Sequence, residues 1–320
     1  MPGKVDSRIA RKPSSGDSSV DSLSLVELQR QLSDIKAQLT DVLNVMQARL
    51  SRPYYCLDDG WALTHLDTGQ PFFINTRDRN VTPWLLMGGH WETNVDVVMS
   101  AYVRPGMFVA DIGAHMGYYT VKLGSLVGPT GKIFSFEPNP EMNAYTERNI
   151  SINGVNAELQ KIGLGDKPGV ATISFVKGNL AQASLTDIGK ADFSFKVEVD
   201  TLDNVMRSAR PLDLIKLDAE GYEPMILKGA RATLNRSPNC AIMLELNMDR
   251  WEQFAKLEEL PELIGEHRLI YAVTDSGKLV YKEFSELRSF LSGCFLTENY
   301  FLFCPPTVDA MGRVEPLILR

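Results

Sequence analysis

The chain has 320 residues, of which 44% are hydrophobic and 23% charged, with a formal net charge of −7 at pH 7. That length holds one large domain or two small ones, and the composition is that of a soluble globular protein. The negative balance argues against nucleic acid as the main partner. The four cysteines, Cys56, Cys240, Cys294 and Cys304, match no zinc or redox spacing. No apolar stretch reaches the length of about 18 residues that a membrane helix needs, so no transmembrane segment is expected and a cytoplasmic location is.

Residues 1–21 are rich in Ser, Gly, Pro and charge, and are expected to be disordered because they bury too little apolar area. The pattern changes within 22–50. Leu25, Leu28, Leu32, Ile35, Leu39, Val42 and Met46 recur in steps of three and four, a heptad seam. It predicts a long helix that either folds back on its own domain or joins copies of the chain through residues 25–46. Residues 51–103 read as a lead-in subdomain, β-rich at first, with turns at Asp58-Asp59-Gly60 and Asp67-Thr68-Gly69. A helix is predicted from Thr93 to Tyr102.

Residues 104–320 alternate strand and helix. Strands are predicted at 107–112, 132–137, 157–163, 213–218, 240–246, 268–273 and 299–304. Helices are predicted at 117–127, 139–153, 222–234, 250–264 and 285–292. Such alternation implies a mostly parallel sheet covered on both faces. Two further β-runs, 170–176 and 194–200, are joined by Gly178 to Lys190, a candidate loop over the site.

The stretch from Asp111 to Thr120 is where the chemistry gathers. Small residues at 113, 114 and 117 lie between an apolar strand and an amphipathic helix. Such a turn permits close approach to the backbone at a helix N-terminus. The spacing G-x-x-x-G is not the G-x-G-x-x-G of dinucleotide sites. An acid at the end of the next strand, Glu137, is placed to accept both hydroxyls of an adenine-linked ribose. S-adenosylmethionine (AdoMet), a sulfonium without phosphates, suits such acids.

Three segments together resemble the FkbM-type AdoMet-dependent methyltransferases: Val109 to Thr120, Phe136-Glu137-Pro138-Asn139-Pro140, and Val199 to Asp203 followed by Asp213 to Glu223. Trp91-Glu92 fits as well, and the resemblance covers about residues 85–305. His115 departs from it, since the family usually has Asn there. The resemblance implies an α/β fold, the class I methyltransferase (Rossmann-like) sheet of seven mostly parallel strands with the last inserted antiparallel. Here that sheet would follow the long heptad-patterned helix. Carried over by position, Asp111, Gly113 and Gly117 would contact the methionine part of AdoMet. Glu137 would hold the ribose, and Gly165 and Asp166 would lie near the adenine. Glu92, Ala114, Tyr118 and Pro138 complete the cofactor set that the matched segments imply.

Removing a proton from a hydroxyl acceptor calls for a base or a metal. The candidates are acids at C-terminal strand ends: Asp218, Glu220 and Glu245. Residues 218 and 220 share a face if the strand stays extended. The same three carboxylates are the candidate ligands if Mg²⁺ takes part. For Glu220 the competing reading is a first-turn acid on the following helix, and for Glu245 a structural hydrogen-bonding acid. The expected activity is O-methylation of a hydroxyl on a carbohydrate or small molecule, in a homo-oligomer. A nicotinamide-dependent oxidoreductase and a non-catalytic coiled-coil scaffold are the alternatives.

Overall fold

A computed structural model describes residues 53–58, 60–176, 179–184, 193–293 and 300–319, together with Arg30, Leu32, Ile35, Lys36 and Leu39. The chain divides into two units, Met1–Leu50 and Ser51–Arg320. In the first, the five described residues are helical and exposed, Leu32, Ile35 and Leu39 of the heptad seam among them. The rest of the seam and the tail 1–21 lie outside the described residues. Among those residues no helix is long and apolar enough to cross a membrane.

The second unit begins with a three-stranded antiparallel sheet of β1 (Tyr55–Asp58), β2 (Trp61–His65) and β3 (Pro71–Asn75). Two helices follow, α1 (Val81–Met87) and α2 (Thr93–Tyr102). The alternating part then runs β4 (Phe108–Ile112), α3 (Tyr118–Val127), β5 (Lys132–Phe136), α4 (Pro140–Asn153) and β6 (Ala157–Gln160). A side sheet holds β7 (Gly163–Leu164), β8 (Gly169–Val176), β9 (Asn179–Ser184) and β10 (Phe193–Asp200). The chain returns through β11 (Leu214–Leu217), β12 (Ala241–Glu245), β13 (Leu269–Val273), β14 (Leu279–Lys282) and β15 (Tyr300–Cys304).

The central sheet has the order β14-β13-β15-β12-β11-β4-β5-β6. From β6 to β12 it is parallel, and β15 enters antiparallel between β12 and β13. This is the seven-stranded arrangement expected from the sequence, extended at one edge by β14. Strand residues alternate between two cores, as the two-residue side-chain period requires. Val109, Ile133, Leu214, Met243 and Leu302 face one, and Ala110, Phe134, Ile215, Ile242 and Phe301 the other. The first core also contains Leu66, Phe72, Ile74 and Leu85, so the lead-in packs directly on the sheet.

Local chemistry sets the element ends. Pro140 occupies the first turn of α4, and the Asn139 side chain caps it by accepting from the Glu141 N–H at 2.9 Å. The helix predicted over 222–234 is broken into Glu223–Lys228 and Arg231–Arg236. The break falls at Gly229, where a Cβ would collide with the carbonyl of Gly165, so the backbone passes close to the end of β7 there. The helix predicted over 250–264 is likewise reduced to the short pieces Met248–Trp251, Leu257–Glu259 and Leu260–Ile264. Of the candidate loop 178–190, residues 179–184 form β9, and 185–190 lie outside the described residues.

Candidate functional site

The C-terminal ends of β4, β5, β11 and β12 open into one cavity of about 840 Å³. Its roof is the segment between residues 79 and 94, and Tyr300 closes it from β15.

Beneath it a polar row crosses the sheet. Ser135, Asp111 and Lys216 are register neighbours on β5, β4 and β11 and share one face. Ser135 and Asp111 are fully buried, and Lys216 is 3% exposed. Thr120, above the row on α3, donates to Asp111 Oδ2 at 2.6 Å and lies 2.8 Å from the Ser135 hydroxyl. Lys216 Nζ donates to Asp218 Oδ2 at 2.9 Å and to the carbonyl of Gly113 at 3.4 Å, and lies over the Tyr119 ring. Asp111 Oδ1 is buried without a partner.

Two turns shape the floor. Gly113 has φ +82°, and a Cβ on it would occupy the position of the Asp218 carbonyl oxygen. The N–H groups of Gly113 and Ala114 both donate to Phe136 O, at 3.0 and 3.1 Å, pinning the turn to the end of β5. Glu137 follows, 7% exposed, with one oxygen accepting from His115 N–H at 2.8 Å and the other from Asn139 N–H at 2.7 Å. A carboxylate has about four lone-pair sites, so each oxygen keeps capacity for a ligand hydroxyl. Burial pushes the Glu137 pKa up to about 7, although those two amides oppose the shift.

A second cluster lies over β11, β12 and β15. Glu245 and Tyr300 are cross-strand partners. Burial and the neighbouring Asp218 push the Glu245 carboxyl far above the usual range, which favours its neutral form in hydrogen bond with Asp218. Burial also disfavours the Asp218 anion, but Lys216, Glu245 and Tyr300 outweigh it and hold its pKa below the usual value. The Tyr300 hydroxyl donates to Glu92 Oε1 and lies 3.4 Å from Asp218 Oδ2, while Tyr119 donates to Glu92 Oε2 at 3.1 Å.

Among the described residues, those other than glycine with left-handed backbones are Glu92 (φ 45°), His115 (φ 51°) and Glu220 (φ 55°). All three line this cavity. Each such conformation costs on the order of 1–3 kcal/mol and persists where the surroundings impose it. His115 Nε2 is buried without a partner, and burial pushes its pKa down to about 4, so the imidazole is neutral.

The residues singled out from sequence fall into two groups. Glu92, Gly113, Ala114, Tyr118, Glu137, Pro138, Asp218, Glu220 and Glu245 line the cavity. Asp111, Gly117, Gly165 and Asp166 do not. Asp111 belongs to the polar row, Gly117 is the N-cap of α3, and Gly165 packs near Val199 and the Tyr222 ring. Ile162 and Leu164, just before Gly165 and Asp166 in the chain, line the cavity instead. Glu220 does not share a face with Asp218. The strand ends at Leu217, and the left-handed turn carries Glu220 into an ion pair with Arg250. The acids that group with Asp218 are Glu223 and Glu245. Glu223 Oε1 already accepts from the N–H groups of Ala219 at 2.8 Å and Gly221 at 3.1 Å.

Sequence reasoning missed Lys216, Tyr119 and Tyr300. Lys216 left a signal, a cation inside the apolar run Leu214-Ile215-Lys216-Leu217. Tyr300 left none, because 208 residues separate it from Glu92.

The donor set fits AdoMet. Carboxylates at 137 and 218 offer negative charge to a sulfonium and an ammonium, and Ile162 and Leu164 offer an apolar wall to a purine. The open Nε2 of His115 and the lone pairs of Glu137 are unused by the protein.

A family model described as "Methyltransferase FkbM domain" matches residues 111–296. No curated protein matches the chain. Among solved structures, the chain is similar to a SAM dependent methyltransferase from Aquifex aeolicus at 14% identity and a TM-score of 0.37, over 66% of this chain and 88% of that one. It is similar to a precorrin-6y C5,15-methyltransferase from Geobacter metallireducens at 13% identity and a TM-score of 0.38, over 66% and 87%. An rRNA methylase from Streptococcus thermophilus aligns at 14% identity and a TM-score of 0.35, over 66% and 92%.

Proposed function

The chain belongs to the FkbM methyltransferase family, and from that premise we propose that it transfers a methyl group from AdoMet to a hydroxyl of a carbohydrate or a similar polyol. AdoMet supplies an activated methyl on a positively charged sulfur. The protein's part is to align an acceptor oxygen with it and manage the proton, and alignment alone accounts for much of the rate.

The observation that carries the acceptor class is the roof of the cavity. Trp84 on α1 is 54% exposed at its edge, and Arg79, His90, Asn94 and Asp275 line the same space. An open indole face beside hydrogen-bonding side chains suits the apolar face and hydroxyl rim of a sugar ring. Incubating the protein with AdoMet and a panel of glycosides tests this reading. An O-methylated product, 14 Da heavier by the mass of one CH₂, supports it; transfer only to nitrogen or carbon acceptors rejects it.

On the cofactor side, Glu137 and Pro138 sit beside Ile162 and Leu164. Glu137→Ala is expected to weaken AdoMet binding by about 1.5–3 kcal/mol, the worth of hydrogen bonds to a charged group. The pH dependence has a defined sign. The Glu137 pKa is raised to about 7, so the carboxyl is half protonated there and loses acceptor capacity below it. Affinity in the wild type is expected to rise as pH increases through 7, and to be low and flat in Glu137→Gln. Calorimetry between pH 6 and 8 measures both; identical affinities in wild type and variant would take Glu137 out of the cofactor site.

A further inference from the structure

We propose that Glu92 is the general base for the acceptor hydroxyl, and that Asp218 serves as its electrostatic partner. This rests on the hydroxyl-directed reading above.

Glu92 is the N-cap of α2, yet its side chain makes no capping hydrogen bond. An N-cap acid normally turns back onto the free N–H groups of its own helix. Here a left-handed backbone aims the carboxylate into the cavity instead. Both oxygens are oriented there, one by the Tyr119 hydroxyl and the other by the Tyr300 hydroxyl. Burial keeps both phenols protonated, so they donate and Glu92 accepts. Each oxygen retains lone-pair capacity toward the cavity.

The other acids are committed. Asp218 is held by Lys216 at 2.9 Å, with the Glu245 carboxyl and the Tyr300 hydroxyl beside it, which makes it a stabilised anion and a poor proton acceptor. The Glu245 carboxyl is pushed far above the usual range and hydrogen-bonds Asp218, and Glu220, although burial raises it to about 7, is held in an ion pair with Arg250. The groups facing Glu92 are Tyr119 from α3, Tyr300 from β15, and Lys216 and Asp218 from β11, with Glu245 from β12 behind Asp218. Burial and then the Asp218 charge push the Glu92 pKa up to about 7, against the pull of Lys216 and the two phenols. A base with a pKa near working pH is the efficient kind.

Position assigns Glu92 to the acceptor rather than to the ribose. Glu137 stands at the end of β5, and Tyr300, which holds Glu92, at the start of β15, four strand spacings away. That is about 19 Å at the usual spacing of sheet strands. In the proposed step the acceptor oxygen gains the methyl group and gives its proton to the Glu92 carboxylate. The donor's sulfur keeps the electron pair of the bond that breaks. The proton then passes to solvent.

The test uses the full chain, as wild type, Glu92→Gln and Glu92→Asp. Infrared difference spectra between pH 5 and 9 report the carboxyl titration directly, without acceptor. Subtracting Glu92→Gln from wild type isolates one carboxyl, which is expected to titrate near pH 7. Rates are read with AdoMet and the glycoside panel, and AdoMet affinity by calorimetry. Glu92→Gln is expected to lose about a hundredfold or more in turnover, with AdoMet affinity within about threefold of wild type and Glu92→Asp recovering part of the rate. A difference spectrum without a carboxyl titrating between pH 6 and 8 overturns the proposal. So does a tenfold loss of AdoMet affinity at unchanged turnover, which would make Glu92 a cofactor ligand. If the wild type methylates no glycoside, the acceptor reading fails separately and the titration alone decides whether Glu92 is poised as a base.

Discussion

Lys216→Met is expected to destabilise the protein by about 3–5 kcal/mol, the cost of removing one partner from a buried ion pair. The ammonium is 3% exposed, donates to Asp218 at 2.9 Å, and is the register neighbour of the fully buried Asp111. Methionine fills a similar volume, so cavity formation adds little and the loss is chiefly electrostatic. For a folded unit of this size the melting temperature should drop on the order of 10 °C.

The pH dependence separates charge from packing. Lys216 holds the Asp218 pKa below its ordinary value. A depressed acid contributes stability that is present above its unfolded pKa and lost as pH falls. Without Lys216 that contribution vanishes, and above the unfolded pKa a buried unpaired anion replaces it. The deficit should therefore be larger at pH 8 than at pH 5, where protonation relieves the anion. Melting curves at the two pH values measure it. Equal deficits would show that Lys216 acts by packing and would remove the ionic account of the row.

Gly113→Ala is the second large effect. The substitution meets two independent costs. Alanine at φ +82° costs about 1–2 kcal/mol. Its Cβ also overlaps the Asp218 carbonyl, so the ends of β4 and β11 must part, an overpacking cost of about 1–3 kcal/mol or more. The turn cannot yield easily, because the N–H groups at 113 and 114 are tied to Phe136 O. Any movement displaces Asp218 and the Lys216 contact to the Gly113 carbonyl at 3.4 Å. We expect a loss of about 2–5 kcal/mol in stability and no measurable AdoMet binding. Thermal denaturation with calorimetry on the same sample checks both. A variant that melts like the wild type would show that the two strand ends tolerate separation.

The glycine turn and the acid after it were legible because they are local. A strand, a glycine turn and a helix follow one another within 108–127, and the acid ending the next strand lies one βα unit on. Hydrophobic period and turn chemistry act over a few residues, so they can be read without knowing the partner strands. The same holds for all seven sheet strands predicted from the run of the chain.

The cluster of acids, tyrosines and Lys216 was decided by tertiary structure. Glu92 precedes the sheet domain, Tyr119 lies on α3, Lys216 and Asp218 on β11, and Tyr300 on β15. They meet because β15 is inserted antiparallel, which brings its first residue to the edge where the parallel strands end. No local pattern encodes that placement. The departure of Glu220 from the Asp218 face has the same origin. Side-chain parity holds only while a strand stays extended, and here the chain leaves β11 after Leu217 and turns left-handed at Glu220. Sequence determined which strands and turns form. The assembly of the sheet, with the lead-in packed on it, determined which charges stand beside each of these acids and how deeply each is buried, and burial and the nearest charge set the direction of every pKa shift among them.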